Sequence, residues 1–325
     1  MTAPTSRATT SPTGGIDGRA LYRDMVRIRY FEDEIERLWK TGDIPGTIHL
    51  YQGQEAVAVG VCAALTAEDS VAATYRGHGV CLARGIDPES LFAELLGRGS
   101  GICGGRAGTM NVASLSQGVM GCYGIVGGSI GAATGAALAA QLRGTRMVAT
   151  AFFGDGAANQ AYFHECLNWA SVRRLPVVYV CENNLYGEFT PMARVTAGGR
   201  IVSRASAYDI VGAEVDGNDV LAILDAARQA VSRARDGRGP TLLECKTYRH
   251  KGHSRGDPGT YRPKEEIAAW LERDPLPRHA QRIGSEAAEE IRREVRAELD
   301  EALQAALAAP YPDPELPAAA TKEAV

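Results

Sequence analysis

Apolar residues recur every three or four positions between Arg19 and Lys40, at Leu21, Met25, Ile28, Phe31, Ile35 and Leu38. That spacing gathers them on one face, so the folded part of the chain is expected to open with an amphipathic helix. Helical patterns continue at Gln54–Leu65 and Pro88–Gly97, and SVAAT (70–74) reads as a short strand. From Met147 the period changes. MVATAFF is a short apolar run, AANQAYFHECLNWASV has the length and spacing of a helix, and PVVYVCE is a second apolar run. Strand, helix and strand within about 35 residues make a βαβ unit with a parallel sheet.

A further helix at Val220–Ala234, a Gly-Arg-Gly-Pro turn and a strand at TLLECKTY extend the pattern. Glu188–Ala207 carries few core candidates and is expected to be a surface loop; Arg249–Pro263 is a loop rich in cations. The last helix, Ser285–Ala308, bears Ile291, Val295, Leu299, Leu303 and Leu307 on a narrow stripe. The Ser/Thr/Pro/Gly-rich residues 1–16 and the Pro-rich residues 310–325 are expected to be disordered tails. The fold class that follows is α/β, one domain over 17–309 with a central parallel sheet flanked by helices.

Composition narrows the function. The 325 residues are 45% hydrophobic and 23% charged, and 35 basic against 39 acidic side chains leave a net charge of -4. Such a balance lacks the positive face that nucleic acid or a membrane surface demands, so neither is expected as a partner. The seven cysteines include no C-x-x-C pair and read as small buried hydrophobes in a reducing, cytoplasmic setting. No charged residue occurs between Arg106 and Arg143, yet that stretch is broken by many glycines. Gly97–Gly156 holds 16 of the 37 glycines, which suggests backbone packed closely against a ligand or another backbone. It is expected to be buried loop and helix rather than a membrane span.

Gly154-Asp155-Gly156 and Asn183-Asn184 each follow a strand of the same βαβ unit, so both fall at the carboxyl edge of the sheet, where α/β folds bind ligands. A helix starting after Gly156 would offer free N–H groups to phosphate. A carboxylate and an amide oxygen beside it are hard ligands suited to Mg²⁺, with phosphate, carbonyl and water completing the shell. Tyr75-Arg76-Gly77-His78 supplies donors suited to phosphate just after SVAAT. His253 stands in the cationic loop, which could close over a diphosphate, and His49 precedes Leu50-Tyr51. The glycines at 99, 101 and 104 lack a preceding strand, which argues against a dinucleotide fingerprint; neither a Walker lysine motif nor G-x-S-x-G is present.

The GDG–NN pair resembles the thiamine-diphosphate motif. More specific are the segments IPGTIHLYQGQEA (44–56), TYRGHG (74–79), GIVGGS (124–129), FFGDGAANQ (152–160), LPVVYVCENNLYGEFTP (175–191), VDGNDV (215–220) and KTYRHKGHSRGDP (246–258). In that order they resemble the alpha subunit of the decarboxylating component of 2-oxo acid dehydrogenases, in the pyruvate and acetoin branch. The resemblance implies thiamine diphosphate and Mg²⁺ as cofactors. It makes Asp155, Asn184 and the carbonyl of Tyr186 the metal ligands, and Tyr75, Arg76, Gly156 and Ala157 the diphosphate cradle. Gly124 and Val126 would meet the aminopyrimidine, His253 the cofactor and the reacting centre, and His49 and His78 would complete the catalytic set. It implies a beta subunit that supplies the activating glutamate in a two-alpha, two-beta heterotetramer, and a lipoyl-bearing transacylase that takes the acyl group. Pyruvate is the leading expected substrate, followed by acetoin cleavage, a biosynthetic acyl transfer, and a non-catalytic Mg²⁺–nucleotide module. Relatives usually carry histidine where Asn111 stands and asparagine where Tyr123 stands, so the expected cofactor ligands are intact while the donor side is altered.

Overall fold

The computed structural model describes residues 17–314; the expected tail 1–16 and the part of the C-terminal tail from 315 onward lie outside the described residues. The chain opens with α1 (Gly18–Thr41), capped by the Asp17 carboxylate and closed by Gly42 in the left-handed region. There follow α2 (Glu55–Cys62), β1 (Ser70–Thr74), α3 (His78–Ala83), α4 (Pro88–Leu95), β2 (Val119–Tyr123), α5 (Gly128–Arg143), β3 (Ala149–Gly154), α6 (Ala161–Arg173) and β4 (Val177–Asn183). A two-residue hairpin, β5 (Tyr186–Gly187) and β6 (Thr190–Pro191), leads through α7 (Met192–Val195) to β7 (Val211–Asp216). The order ends with α8 (Val220–Arg235), β8 (Thr241–Lys246), α9 (Lys264–Leu271), α10 (Pro275–Ile283) and α11 (Ser285–Ala308).

Six strands form a parallel sheet in the order β2-β1-β3-β4-β8-β7. Successive side chains of a strand point to opposite faces, and this sheet buries both. Phe152, Val178, Val180 and Leu243 enter one core with α1, α2, α8 and α11, while Phe153, Val177, Tyr179 and Leu242 enter the other with α5 and α6. The apolar runs of β3 and β4 are continuous for that reason. The α1 stripe read from the sequence, Leu21 through Leu38, is buried throughout. Residues 310–314 lie along the 98–106 segment: Gly99 donates to the Pro310 carbonyl, Arg98 covers the Tyr311 ring at 4.2 Å, and Arg106 donates to the Asp313 carbonyl. Among the described residues no helix is long and apolar enough to cross a membrane.

Two expectations are corrected, and two strands went unread. Glu188–Ala207 is not a plain loop: it holds β6, α7 and a 3-10 turn from Val202, and it buries Met192, Ile201 and Ala205. These apolar residues are too widely spaced to show a period. The helix expected straight after Gly156 begins as a 3-10 turn, Asp155–Asn159, and the α-helix starts only at Ala161, after extended Gln160. Strands β2 and β7 had no apolar run to announce them, because β2 interrupts the glycine-rich stretch and β7 is a partly exposed edge.

The topology creates one switch point. From β1 the chain passes through α3 and α4 to β2 on one side, and from β2 through α5 to β3 on the other. Crevices open at the carboxyl ends of strands where such a reversal occurs.

Candidate active site

A cavity of about 540 Å³ lies at those carboxyl ends, walled by residues that follow β1, β2, β3, β4 and β8. His49, Tyr75, Arg76, Gly124, Val126, Asp155, Gly156, Ala157, Asn184, Tyr186 and His253 all line it. The fold therefore brings together every site residue proposed from the sequence except one. His78 is fully buried away from the cavity, with Nδ1 3.1 Å from the Glu32 carboxylate and Nε2 3.0 Å from the Thr109 carbonyl. His78, expected in the catalytic set, thus stands outside the cavity wall, its imidazole bridging α1 and the 109–110 segment.

One half of the cavity is a nest of oxygen acceptors. Asp155 is 1% exposed, and neither carboxylate oxygen has a hydrogen-bond partner. The Oδ1 of Asn184 is likewise buried without a partner, because its Nδ2 donates to Gln54 Oε1 at 2.8 Å. Burial pushes the Asp155 carboxyl up to about 6. Leu185 takes a left-handed φ of 74°, a kink held by the Asn183 side chain and by the Met192 amide, and it turns the chain into Tyr186. Gly156 and Gly187 pack backbone to backbone; a Cβ on either would stand 3.2 Å from the other's Cα. Orphaned acceptors of this kind are costly unless a cation or donor meets them.

The other half is cationic. Arg76 and Arg249 are 5% and 2% exposed, and among the described residues neither forms a salt bridge. Arg76 clamps the carbonyls of Leu50 and His253 at 2.6 and 2.8 Å, so its fork holds the loop while its charge stays in the cavity wall. Burial and the neighbouring Arg249 push its guanidinium down to about 10. Arg249 donates to the Glu188 carbonyl, Tyr261 and His253. Buried guanidinium groups of this kind are suited to meeting an anion.

Between the halves, the rings of His49, Tyr75 and His253 meet with centroids 4.6, 5.0 and 5.8 Å apart. Burial, reinforced by Arg76, holds His49 at about 3 and His253 at about 4, so both rings are neutral at pH 7. Glu182 also faces the cavity; burial pushes it up to about 7 although Tyr51 donates to it. Met110, Tyr123 and Ile125 form an apolar wall. Sequence reasoning missed Gln54, Glu182 and Arg249 as site residues. All three lie inside the quoted segments, and what was lacking was a signal for which way each side chain points.

The chain is thus a doubly wound α/β domain whose switch-point cavity joins buried acceptor oxygens to guanidinium groups. The chain belongs to the dehydrogenase E1 component family, whose model matches residues 23–315. It is 50% identical over 252 residues to the alpha subunit of acetoin:2,6-dichlorophenolindophenol oxidoreductase of Bacillus subtilis (strain 168), covering 78% of this chain and 76% of that one. The corresponding subunit of Cupriavidus necator is 45% identical over 302 residues, covering 91% of both chains. The alpha subunit of the pyruvate dehydrogenase E1 component of Rhizobium meliloti (strain 1021) is 43% identical over 261 residues, 80% of this chain and 75% of that one.

Proposed function

We propose that this chain is the alpha subunit of a thiamine-diphosphate-dependent dehydrogenase component that oxidatively cleaves a small carbonyl donor and passes the acyl group to a lipoyl-bearing transacylase. The observation that carries the reading is the pair of complementary half-sites: three buried acceptor oxygens on Asp155 and Asn184 beside the unpaired cations Arg76 and Arg249. This donor set fits Mg²⁺ bound to a diphosphate, since the protein gives few hard oxygens and leaves the rest of the shell to phosphate and water.

Asp155, Asn184 and the Tyr186 carbonyl would hold Mg²⁺, and Tyr75, Arg76, Gly156 and Ala157 the diphosphate. Gly124 and Val126 would present backbone to the aminopyrimidine. When bound, thiamine diphosphate supplies the electron sink for breaking the bond next to the donor carbonyl. The neutral rings of His49 and His253 can then offer a hydrogen-bond donor and acceptor beside the reacting carbonyl, and Met110, Tyr123 and Ile125, once covered by a second subunit, would keep water from it. Ile125 and Phe189 are exposed by 69% and 51%, as a surface covered by another subunit would be. The alpha-subunit names of the relatives support a beta subunit as that cover, and a two-alpha, two-beta assembly is part of the proposal.

Two donors fit the reading. Pyruvate is named for the R. meliloti relative, whereas acetoin is named for the two reported relatives with the higher identities, and this favours acetoin as the second reading. The test is dye reduction by the alpha–beta complex with thiamine diphosphate and Mg²⁺, run with pyruvate and acetoin in parallel. Activity with one donor assigns the branch. Carbon dioxide release without dye reduction points to biosynthetic acyl transfer, and calorimetry that favours Mg²⁺–nucleotide over Mg²⁺–thiamine diphosphate overturns the reading.

A further inference from the structure

Gln54 stands at the N-cap of α2 but makes no capping bond to its own helix, and its side chain is completely buried. Glutamine is a poor cap residue, so the reason for an amide here lies elsewhere. Its Oε1 accepts Nδ2 of Asn184 at 2.8 Å across 130 residues of sequence, and its Nε2 is buried in the cavity wall with no partner. An asparagine amide can present either its oxygen or its nitrogen to the cavity. Committing Nδ2 to Gln54 leaves Oδ1 facing the same space as the two free oxygens of Asp155.

The turn carrying Gln54 is fixed from several sides. Gly53 has a φ of +98°, its amide donates to the Glu55 carboxylate, and its carbonyl accepts from Thr247. Gln52 accepts from the His250 amide, and Glu55 is held by Arg29, which also binds Asp274. An amide on so rigid a support can impose an orientation on its neighbour.

We propose that Gln54 is a positioning residue for the cation: it turns Asn184 Oδ1 toward the metal and holds its own Nε2 donor for an oxygen of the bound diphosphate. This rests on the functional reading above. In the reverse arrangement, with both amides flipped, Asn184 would present N–H groups beside Asp155, and the site would suit a cation badly.

The test uses the alpha–beta complex with thiamine diphosphate and Mn²⁺ as the probe, free and bound Mn²⁺ being separated by electron paramagnetic resonance. Gln54→Met keeps the shape and removes both polar atoms; Gln54→Glu keeps an acceptor for Asn184 and removes the donor. Gln54→Met is expected to weaken Mn²⁺ binding about tenfold or more. Gln54→Glu is expected to keep Mn²⁺ affinity within about threefold while weakening thiamine diphosphate in calorimetry. Should Gln54→Met not fold, Gln54→Asn, one methylene short of Asn184, is expected to lose Mn²⁺ affinity likewise. Wild-type Mn²⁺ affinity in Gln54→Met, or equal Mn²⁺ losses in Met and Glu variants of unchanged thermal stability, overturns the positioning role. Asp155→Ala separates the two failures: if it loses Mn²⁺ while Gln54→Met does not, only this inference falls, and if neither loses it the site reading falls as well.

Discussion

Nη1 of Arg249 lies 3.1 Å from Nδ1 of His253. A guanidinium only donates, so this contact makes Nδ1 the acceptor and leaves the ring proton on Nε2. Arg249 thereby sets the tautomer of the site histidine and helps to hold its pKa down, together with burial and Arg76, against the opposing pull of Asp257. Removing that charge in Arg249→Gln is expected to raise His253 from about 4 toward its ordinary value. The acid limb of the kcat/KM profile then moves to higher pH. An unchanged profile would mean that His253 does not govern that limb.

Asp155 should trade stability for binding. Its buried, unpartnered carboxylate is costly in the cofactor-free protein, so Asp155→Asn is expected to stabilise that form by about 1–3 kcal/mol at pH 7.5. The same change, or Asp155→Ala, is expected to weaken Mg²⁺-dependent binding of thiamine diphosphate at least about tenfold. Denaturant melts and calorimetry on the alpha–beta complex check the two halves. Unaltered cofactor affinity would remove Asp155 from the metal site.

Tyr123 ends β2 in the apolar wall of the cavity, half-buried. Tyr123→Ala opens space on the donor side without touching the acceptor nest. The expected result is a change in the kcat/KM ratio between pyruvate and a larger 2-oxo acid of about tenfold, with cofactor affinity within threefold. Equal losses for both donors would reduce Tyr123 to packing.

His49 gives a pH dependence with a definite sign. Its folded pKa, about 3, lies below its unfolded value, so from about pH 6.5 down the unfolded chain binds a proton that the native state refuses. Stability contributed by the neutral ring is present above that range and is lost as pH falls toward 3. Asp155 and Glu182, both raised, act in the opposite direction, so the comparison is made against a variant. His49→Gln is expected to lose less stability than wild type between pH 7.5 and 5 in urea melts. Parallel losses would show that His49 is not held neutral.

Gly53 has no room for a side chain: a Cβ there would stand 2.2 Å from the Tyr248 carbonyl oxygen, on a backbone already at positive φ. Gly53→Ala is expected to cost roughly 2–4 kcal/mol and to disturb the Gln54–Asn184 contact. Urea denaturation of the variant measures the first effect, and Mn²⁺ binding the second.

By itself the sequence determined the class of fold and the edge of the sheet that carries the chemistry. Period and run length disclosed α1, β3, β4, α8 and α11, since burying one helix face or both sheet faces requires those patterns. It likewise put Asp155 and Asn184 after neighbouring strands, because a βαβ unit leaves both at one edge. Only tertiary structure decided the rest. Strands β2 and β7 exist through their neighbours in the sheet rather than through an apolar run of their own. His78 looked like Tyr75 and Arg76 in sequence, yet α3 turns it inward onto Glu32, and direction on a short helix depends on what it packs against. Gln54 and Asn184 are 130 residues apart, as are Arg249 and the Glu188 carbonyl by 61, and no local pattern records such meetings. Orientation of a polar side chain is set by the one partner that satisfies it, and that partner is chosen by the fold.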